Sequence, residues 1–255
     1  MTVLMYHRIG EAHNDWERRY CISPAGFESH MRALQDAGLR PCTIDRFVAW
    51  LDGDAVLPER SFLLTFDDGF RGVYEHAFPL LAGMGWPATV FLVSGLLGRS
   101  DGWTATENPG GRTYPLLGAR EIEEMSRRQF SFHSHTRSHP DLRKLSPDAL
   151  REELIGSRED LENLLGRPVP YLAYPYGWFD DAVVAAAKES GYRAAFCTQP
   201  GFNRRHVDRF RIRRIDVYGT DTASALRRKT ALGSNDGSWW HSVRYYGERL
   251  AARLR

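Results

Sequence analysis

The sequence predicts a single α/β domain in which parallel β-strands alternate with α-helices. Short apolar runs rich in strand-forming residues recur along the chain, and segments with helical periodicity separate the later ones. The length of 255 residues suits one barrel or two small domains, and the 42% hydrophobic content favours one sizeable core. Because strands joined through helices run parallel, their carboxyl ends meet at one edge of the sheet or barrel, where we expect a functional site.

The amino-terminal half begins with a short apolar run at 3–7, which predicts a buried strand ending at His7. Ser23 and Pro24 predict a helix start, because serine caps helices and proline suits the first helical position. This helical pattern stops at Gly38. The other elements predicted in this half are a helix at 43–51, a strand at 61–66, a helix at 74–84 and a strand at 88–93.

The segment 94–120 is rich in Gly, Arg, Thr and Trp and has no clear periodicity, which predicts a long loop at the same edge as the site. Such loops usually bind or cover a ligand. We divide the chain into a barrel over 1–220 and a helical extension over 221–255 that packs on or flanks it. The other elements predicted after the loop are strands at 130–135, 169–174 and 194–197, and helices at 147–165, 180–191 and 239–255.

Bulk composition excludes several classes of partner. The formal charge of +2 gives no indication of nucleic acid or of an anionic membrane surface. The 3 cysteines lack C-x-x-C spacing and fit neither a disulfide framework nor a cysteine zinc site. Because the sequence shows neither a secretory signal nor a transmembrane stretch, we expect a cytoplasmic protein, although a chain trimmed of its leader would look the same. The oligomeric state stays open.

Two histidines, His135 and His139, stand four residues apart after a predicted strand. On one helical turn this spacing brings both imidazoles to the same face, within reach of one ion. Alone the spacing leaves metal binding and chance equally open. Pro140 and the preceding strand favour metal binding, because they place the pair at a strand end and not on an exposed helix.

Two adjacent carboxylates, Asp67 and Asp68, follow another apolar strand. Adjacent carboxylates in a loop are usually solvated or cap a helix. Beside two histidines, however, one carboxylate can complete a metal site with open positions, while the other takes a proton from water. A tight turn can point two neighbouring side chains in these different directions.

Three motifs occur in the order Thr65-Phe66-Asp67-Asp68-Gly69, His135-Thr136-Arg137-Ser138-His139-Pro140 and Tyr174-Pro175-Tyr176-Gly177. Together they resemble the polysaccharide deacetylase family, also called the NodB-homology or family-four carbohydrate esterases. The resemblance extends from about Val3 to Tyr218. It implies a distorted (β/α) barrel, one divalent metal ion that is usually zinc, and hydrolysis of N-acetyl groups on amino sugars of a polysaccharide or glycoconjugate.

The resemblance also implies roles for the matching residues. Asp67 becomes the general base. The turn Pro175-Tyr176 lines the acyl pocket, and the backbone N–H of Tyr176 helps the metal to stabilise the oxyanion. The implied metal ligands are Asp68, His135 and His139.

The chain departs from the family pattern at Ala173, where the family often has an arginine that braces the catalytic base. This support is either missing or supplied from elsewhere. We expect Arg214 to replace it, although three neighbouring arginines are also typical of a solvated segment.

A second departure is the absence of the late Leu-x-His motif that supplies the general acid. A branch of the family that acts in exopolysaccharide synthesis is circularly permuted, with this histidine near the amino terminus. Leu4-Met5-Tyr6-His7 resembles that motif, so we expect His7 to be the general acid. The competing interpretation is a structural histidine at the end of a buried strand.

Other residues are weaker candidates. Trp103 and Tyr114 in the long loop offer aromatic faces on which sugar rings can stack, although loop aromatics are common. His133 is expected on the same side of its strand as His135, where a packing role and a supporting role in the site are equally open.

Three alternative functions were weighed against carbohydrate N-deacetylation. A related hydrolase could release another acyl group, such as formyl from a lipid-linked or small amino sugar. A catalytically inactive barrel could serve as a glycan-binding module, but such a module needs no spare carboxylate. A two-metal phosphoesterase needs more carboxylate ligands than the strand ends provide.

Overall fold

The computed structural model describes residues 1–244, and the strands and helices of this part are bounded as follows. The strands are β1 (Thr2–Tyr6), β2 (Arg8–Ile9), β3 (Cys21–Ile22), β4 (Arg40–Cys42), β5 (Ser61–Phe66), β6 (Ala88–Leu92), β7 (Phe130–Ser134), β8 (Tyr171–Ala173), β9 (Ala194–Phe196) and β10 (Ile215–Asp216). The α-helices are α1 (Glu17–Tyr20), α2 (Pro24–Asp36), α3 (Ile44–Asp52), α4 (Phe78–Met84), α5 (Ala119–Ser126), α6 (Pro147–Arg151), α7 (Ser157–Leu165), α8 (Asp181–Glu189) and α9 (Ala223–Leu232).

Eight of these strands form one parallel sheet that curls into a barrel. Its order is β10-β1-β5-β6-β7-β8-β9, and β4 pairs with the first half of β5. The strands β2 and β3 form a separate parallel pair. Every strand predicted from the sequence is present, and the prediction of an α/β barrel is confirmed.

The barrel closes through the segment 212–216, which the sequence analysis did not predict. Ile212 forms a parallel bridge with Phe196 of β9, and β10 pairs in parallel with β1. The same segment therefore contacts the last and the first strand of the barrel. Arg214 lies in the middle of this closing segment.

Alternate strand residues fill the barrel interior with apolar side chains. Val3, Leu63, Phe91 and Phe196 belong to one buried cluster, which the apolar face of α3 covers. Because these side chains alternate with others that pack against the outer helices, β1, β5 and β6 are buried on both faces. This burial explains why the strands read as continuous apolar runs.

Two predicted helices begin where the sequence placed them, while the long loop is shorter than expected. Ser23 caps α2 by accepting a hydrogen bond from the backbone N–H of Gly26. The loop after β6 contains two short 3-10 turns and ends at Gly118, because α5 occupies the end of the predicted 94–120 segment. The predicted helix 147–165 is present as α6, one π-helical turn and α7.

The carboxyl-terminal region packs on the barrel helices as far as the structure describes it. α9 contacts α2, and Leu226 shares a buried cluster with Phe27 and Met31 of that helix. Residues 239–244 are helical, and the remainder of the helix predicted over 239–255 lies outside the described residues. Within residues 1–244, no helix has the length and apolar character needed to cross a membrane.

Candidate active site

The two aspartates at the end of β5 point in different directions because the chain turns sharply between them. The backbone N–H of Asp67 donates to the carbonyl oxygen of Tyr6, which continues the strand pairing. Asp68 and Gly69 then adopt left-handed backbone angles, with φ of 70° and 76°. A side chain at Gly69 would collide with Leu92, so glycine is required there.

The histidine pair follows β7 in an irregular loop, and the expectation that it lies on a helical turn is wrong. Thr136 and His139 have left-handed φ angles of 67° and 64°, which no helix contains. The backbone N–H of His139 donates to Thr136 Oγ1 at 3.1 Å. Glu153 also accepts hydrogen bonds from the backbone N–H groups of Arg137 and Ser138. Side-chain hydrogen bonds, and not helical spacing, therefore bring the imidazoles together.

Asp68, His135 and His139 converge into a compact buried group. Asp68 Oδ1 lies 3.4 Å from Nε2 of each histidine, and the three ligand atoms lie within 4.8 Å of one another. The Nδ1 atom of His135 hydrogen-bonds the carbonyl oxygen of Ala173 at 2.8 Å, which directs Nε2 toward Asp68. Two imidazole nitrogens and one carboxylate oxygen form a donor set that fits a divalent transition metal with open coordination positions.

The charge states of this triad also suit a cation. Burial lowers the pKa of His139 to about 3, so its imidazole is neutral near pH 7. Burial opposes ionisation of Asp68, but its hydrogen bond with His135 and the nearby histidines hold its pKa well below the usual range. The adjacent carboxylates Asp67 and Asp68 outweigh burial at His135 and raise its pKa. A bound cation would replace the proton that this arrangement otherwise favours on His135.

Asp67 is held by Arg214 and lies beside the triad, with its Oδ2 3.9 Å from Nε2 of His135. Two hydrogen bonds of 2.6 and 2.7 Å join the guanidinium to both carboxylate oxygens, and Arg214 is fully buried. Its Nε also donates to the carbonyl oxygen of Cys197. Burial opposes ionisation of Asp67, but the charge of Arg214 outweighs it and lowers the pKa of the carboxyl. The barrel-closing segment thus supplies the arginine that is absent at Ala173.

His7 follows β1 and lines a cleft of about 350 Å³ that Asp67 and the triad also line. The edge of one ring faces the other in its contact with Tyr20 of α1, with ring centroids 5.4 Å apart. His7 therefore lies at the active-site edge of the barrel, although it comes from the beginning of the chain.

Aromatic side chains surround His139 at the mouth of the cleft. Trp103 stacks on the His139 ring at 4.6 Å, and Tyr176 contacts the ring at 4.7 Å. Tyr176 itself stacks on Trp178, a half-exposed residue that the sequence analysis did not select. Burial, followed by the nearby carboxylate of Glu107, raises the pKa of Tyr176 to about 12.

Pro175 lies elsewhere than expected, and His133 takes one of the two roles left open for it. Pro175 is buried and does not line the cleft, because its ring occupies the first position of the tight turn that presents Tyr176. His133 packs against Tyr171 and Phe91 in the barrel interior, and neither ring nitrogen has a hydrogen-bond partner among the described residues. The packing interpretation of His133 therefore agrees with its surroundings.

Comparisons with known proteins agree with this geometry. Residues 54–195 match the family model described as polysaccharide deacetylase. The chain is 26% identical over 209 residues to a poly-beta-1,6-N-acetyl-D-glucosamine N-deacetylase of Staphylococcus epidermidis, which covers 78% of this chain and 69% of that protein.

Solved structures give the same result. A polysaccharide deacetylase from Bacillus cereus is 30% identical with a TM-score of 0.75, covering 90% of this chain and 68% of that one. IcaB from Ammonifex degensii is 26% identical with a TM-score of 0.76, and the match covers 91% of this chain and 96% of IcaB. The chain belongs to the polysaccharide deacetylase family, whose members are metal-dependent hydrolases.

Proposed function

We propose that this enzyme removes the acetyl group from N-acetylated amino sugars of a polysaccharide, with Asp67 as the general base and His7 as the general acid. The observation that carries the proposal is a second carboxylate beside the Asp-His-His triad. Asp67 is paired with Arg214 and is not needed to complete the triad. A hydrolase requires such a group, whereas a binding module does not.

Asp67 accepts a proton from the attacking water. Each of its oxygens receives one hydrogen bond from Arg214, which leaves a lone pair for the water proton. Because Arg214 keeps Asp67 ionised, the base is available at neutral pH. The same pairing fixes the plane of the Asp67 carboxylate, so its free lone pair keeps a constant direction toward the attacking water.

His7 donates a proton to the amine that leaves when the tetrahedral intermediate collapses. An amine is a poor leaving group until it is protonated, and an imidazole suits this transfer near pH 7. The ring of Tyr20 limits the positions that the imidazole of His7 can occupy. The backbone N–H of Tyr176 donates a hydrogen bond to the former carbonyl oxygen, which becomes an oxyanion when water adds to the acyl carbon.

Asp68, His135 and His139 would hold the metal ion, and we propose Zn²⁺ because two imidazoles and one carboxylate form a common zinc donor set. When bound, this ion would polarise the acyl carbonyl and acidify the attacking water.

The proposed substrate is a polymer that contains N-acetylglucosamine. The S. epidermidis relative is named as a deacetylase of such a polymer, and IcaB is a structural neighbour. Trp103 and Trp178 at the cleft mouth offer aromatic faces to sugar rings. Acetyl is preferred over formyl because the S. epidermidis relative is named as an N-deacetylase.

A substrate panel tests the proposal. Zinc-loaded protein is incubated with N-acetylglucosamine oligomers, nucleotide sugars, lipid-linked sugars and their N-formyl analogues, and released acetate and formate are quantified. We expect acetate from the oligomers and none after chelation of the metal. Release of formate alone, or cleavage only of lipid-linked sugars, would overturn the assigned acyl group or substrate class.

A further inference from the structure

A buried carboxylate outside the triad, Glu17, has no part in the reaction described above. It is only 2% exposed and begins the one-turn helix α1. It accepts hydrogen bonds from the Arg8 guanidinium at 3.0 Å and the His13 backbone N–H at 2.7 Å. Its other oxygen accepts from the Asn108 side chain at 2.8 Å and the Tyr114 hydroxyl at 2.7 Å. The carboxylate of Glu17 therefore joins two loops. The first loop covers residues 8–20 and contains Glu17 itself, and the second loop covers residues 102–117.

The first loop carries one side of the active-site cleft. Arg8 directly follows His7, and Glu17 lies between Trp16 and Tyr20, which both line the cleft. Tyr20 contacts the His7 ring. Because a four-residue helix has no stability of its own, its position depends on tertiary contacts such as those of Glu17.

The second loop carries the opposite side of the cleft. Asn108 and Tyr114 belong to the long loop that also contains Trp103, which stacks on His139. Two further contacts join the loops: Asn14 donates to Asn108, and the Arg8 guanidinium lies 3.5 Å from the centre of the Tyr114 ring. Arg8 therefore covers one face of Tyr114, a residue on which the sequence analysis expected a sugar ring to stack.

We propose that Glu17 is a positioning residue that fixes His7 and the Trp103 loop relative to each other across the cleft. The proposal rests on the proposed function, because it assigns Glu17 an effect on glycan deacetylation. Glu17 touches no reacting atom. It acts through Arg8 and Tyr20 on one side and through Asn108 and Tyr114 on the other.

The substitution Glu17→Gln tests this role with almost no change in size. An amide nitrogen in place of Oε2 would face the Arg8 guanidinium and the His13 backbone N–H, which can only donate. In place of Oε1 it would face the donating amide of Asn108, although the Tyr114 hydroxyl can turn to accept. At least one of the four hydrogen bonds is therefore lost in either placement. The control is Glu28→Gln, which removes an exposed carboxylate that pairs with Arg32 on the surface of α2.

Two substrates separate positioning from general damage. Deacetylation of an N-acetylglucosamine oligomer needs both cleft walls and a protonated leaving amine. Hydrolysis of a small aryl acetate needs neither, since an aryloxide leaves without a proton. With equal metal content, we expect Glu17→Gln to lower kcat/KM for the oligomer by about 10–100-fold, and the aryl acetate rate by no more than about threefold. Glu28→Gln should match the wild type on both substrates.

Hydrogen exchange supplies a readout that does not depend on activity. In Glu17→Gln, exchange should accelerate in residues 8–20 and 102–117 and stay unchanged in the barrel strands. Equal loss on both substrates, or unchanged exchange in both segments, would overturn the positioning role. If the wild type released no acetate from any glycan while exchange rose in both segments, the proposed function would fail separately from the structural link.

Discussion

At the scale of single residues, the pairing of Asp67 with Arg214 depends on the burial of both groups. An ionised carboxylate in the barrel is costly unless a partner neutralises it, and the bidentate contact with Arg214 supplies that partner. We infer that the pair serves the chemistry, because apolar side chains of similar volume can fill a buried site without the cost of removing two charges from water.

Removing the arginine alone should therefore be severe. We expect Arg214→Met to reduce the free energy of unfolding by about 3–5 kcal/mol, because it leaves Asp67 buried without a counter-charge. The matched control is Arg213→Met, since the exposed Arg213 side chain donates, among residues 1–244, only to the carbonyl oxygen of Pro200. Urea denaturation measures both variants, and equal losses would contradict the assigned importance of the pair.

His7 is the residue whose role most distinguishes this chain from the ordinary family pattern. His7→Ala should retain one metal ion per chain and lose about 10²–10⁴-fold in deacetylation rate, as expected for a missing general acid. The check combines elemental analysis, circular dichroism and steady-state kinetics. Near-normal turnover in a folded, metal-loaded variant would reject the amino-terminal acid.

At the scale of elements, the sequence predicts those that have enough residues to show a pattern. The six predicted strands and the helix start at Ser23 are present. The strands β2, β3 and β10 contain two residues each, too few for any periodicity. The sequence does not predict α5, because only two of its residues, Ile122 and Met125, form its apolar face.

The site was predictable to the extent that motifs lie at strand ends. The convergence of Asp68, His135 and His139 follows from strands that end at one edge, although the histidine loop is not helical. The sequence named Arg214 as a partner of Asp67 but left a solvated segment equally open, and the path of the closing segment places Arg214 against Asp67. Glu17 left no sequence signal, because its partners Asn108 and Tyr114 are about ninety residues away.

The turn that presents Tyr176 depends on Gly177. Gly177 has a φ of 70°, and a Cβ there would lie 2.1 Å from Thr198 Oγ1. Gly166 has a φ of 63° but open space around it. Alanine should cost about 1–2 kcal/mol at either position for the left-handed backbone, and about 1–3 kcal/mol more at Gly177 for the collision.

Thermal unfolding and activity of Gly177→Ala and Gly166→Ala check this difference. Only Gly177→Ala should also lose deacetylase activity, because its turn carries Tyr176. Equal stability and equal activity in the two variants would show that the contact with Thr198 is relieved without cost.

At the scale of the whole molecule, a buried histidine joins helix α2 to strand β1 and to the loop before α9. His30 of α2 contacts the Tyr6 hydroxyl through Nδ1 and the carbonyl oxygen of Asp221 through Nε2. Burial lowers its pKa below the ordinary value of 6.5. The unfolded chain therefore binds a proton that the folded chain does not, and stability should fall as the pH drops below about 6.5.

The unfolding free energy measured from about pH 8 to pH 5 checks this linkage. The wild type should lose stability more steeply toward pH 5 than His30→Gln, which cannot titrate at that position. Parallel slopes would show that His30 contributes nothing to acid sensitivity.

The central claim for the whole enzyme is that the metal triad and the base are separate groups within one cleft. Asp67→Asn removes the base and leaves Asp68, His135 and His139 intact. The most direct test measures metal content and acetate release from an N-acetylglucosamine oligomer for this variant and the wild type. We expect about one zinc ion per chain in both proteins and acetate release only in the wild type. Loss of zinc from the variant, or acetate release at the wild-type rate, would contradict it.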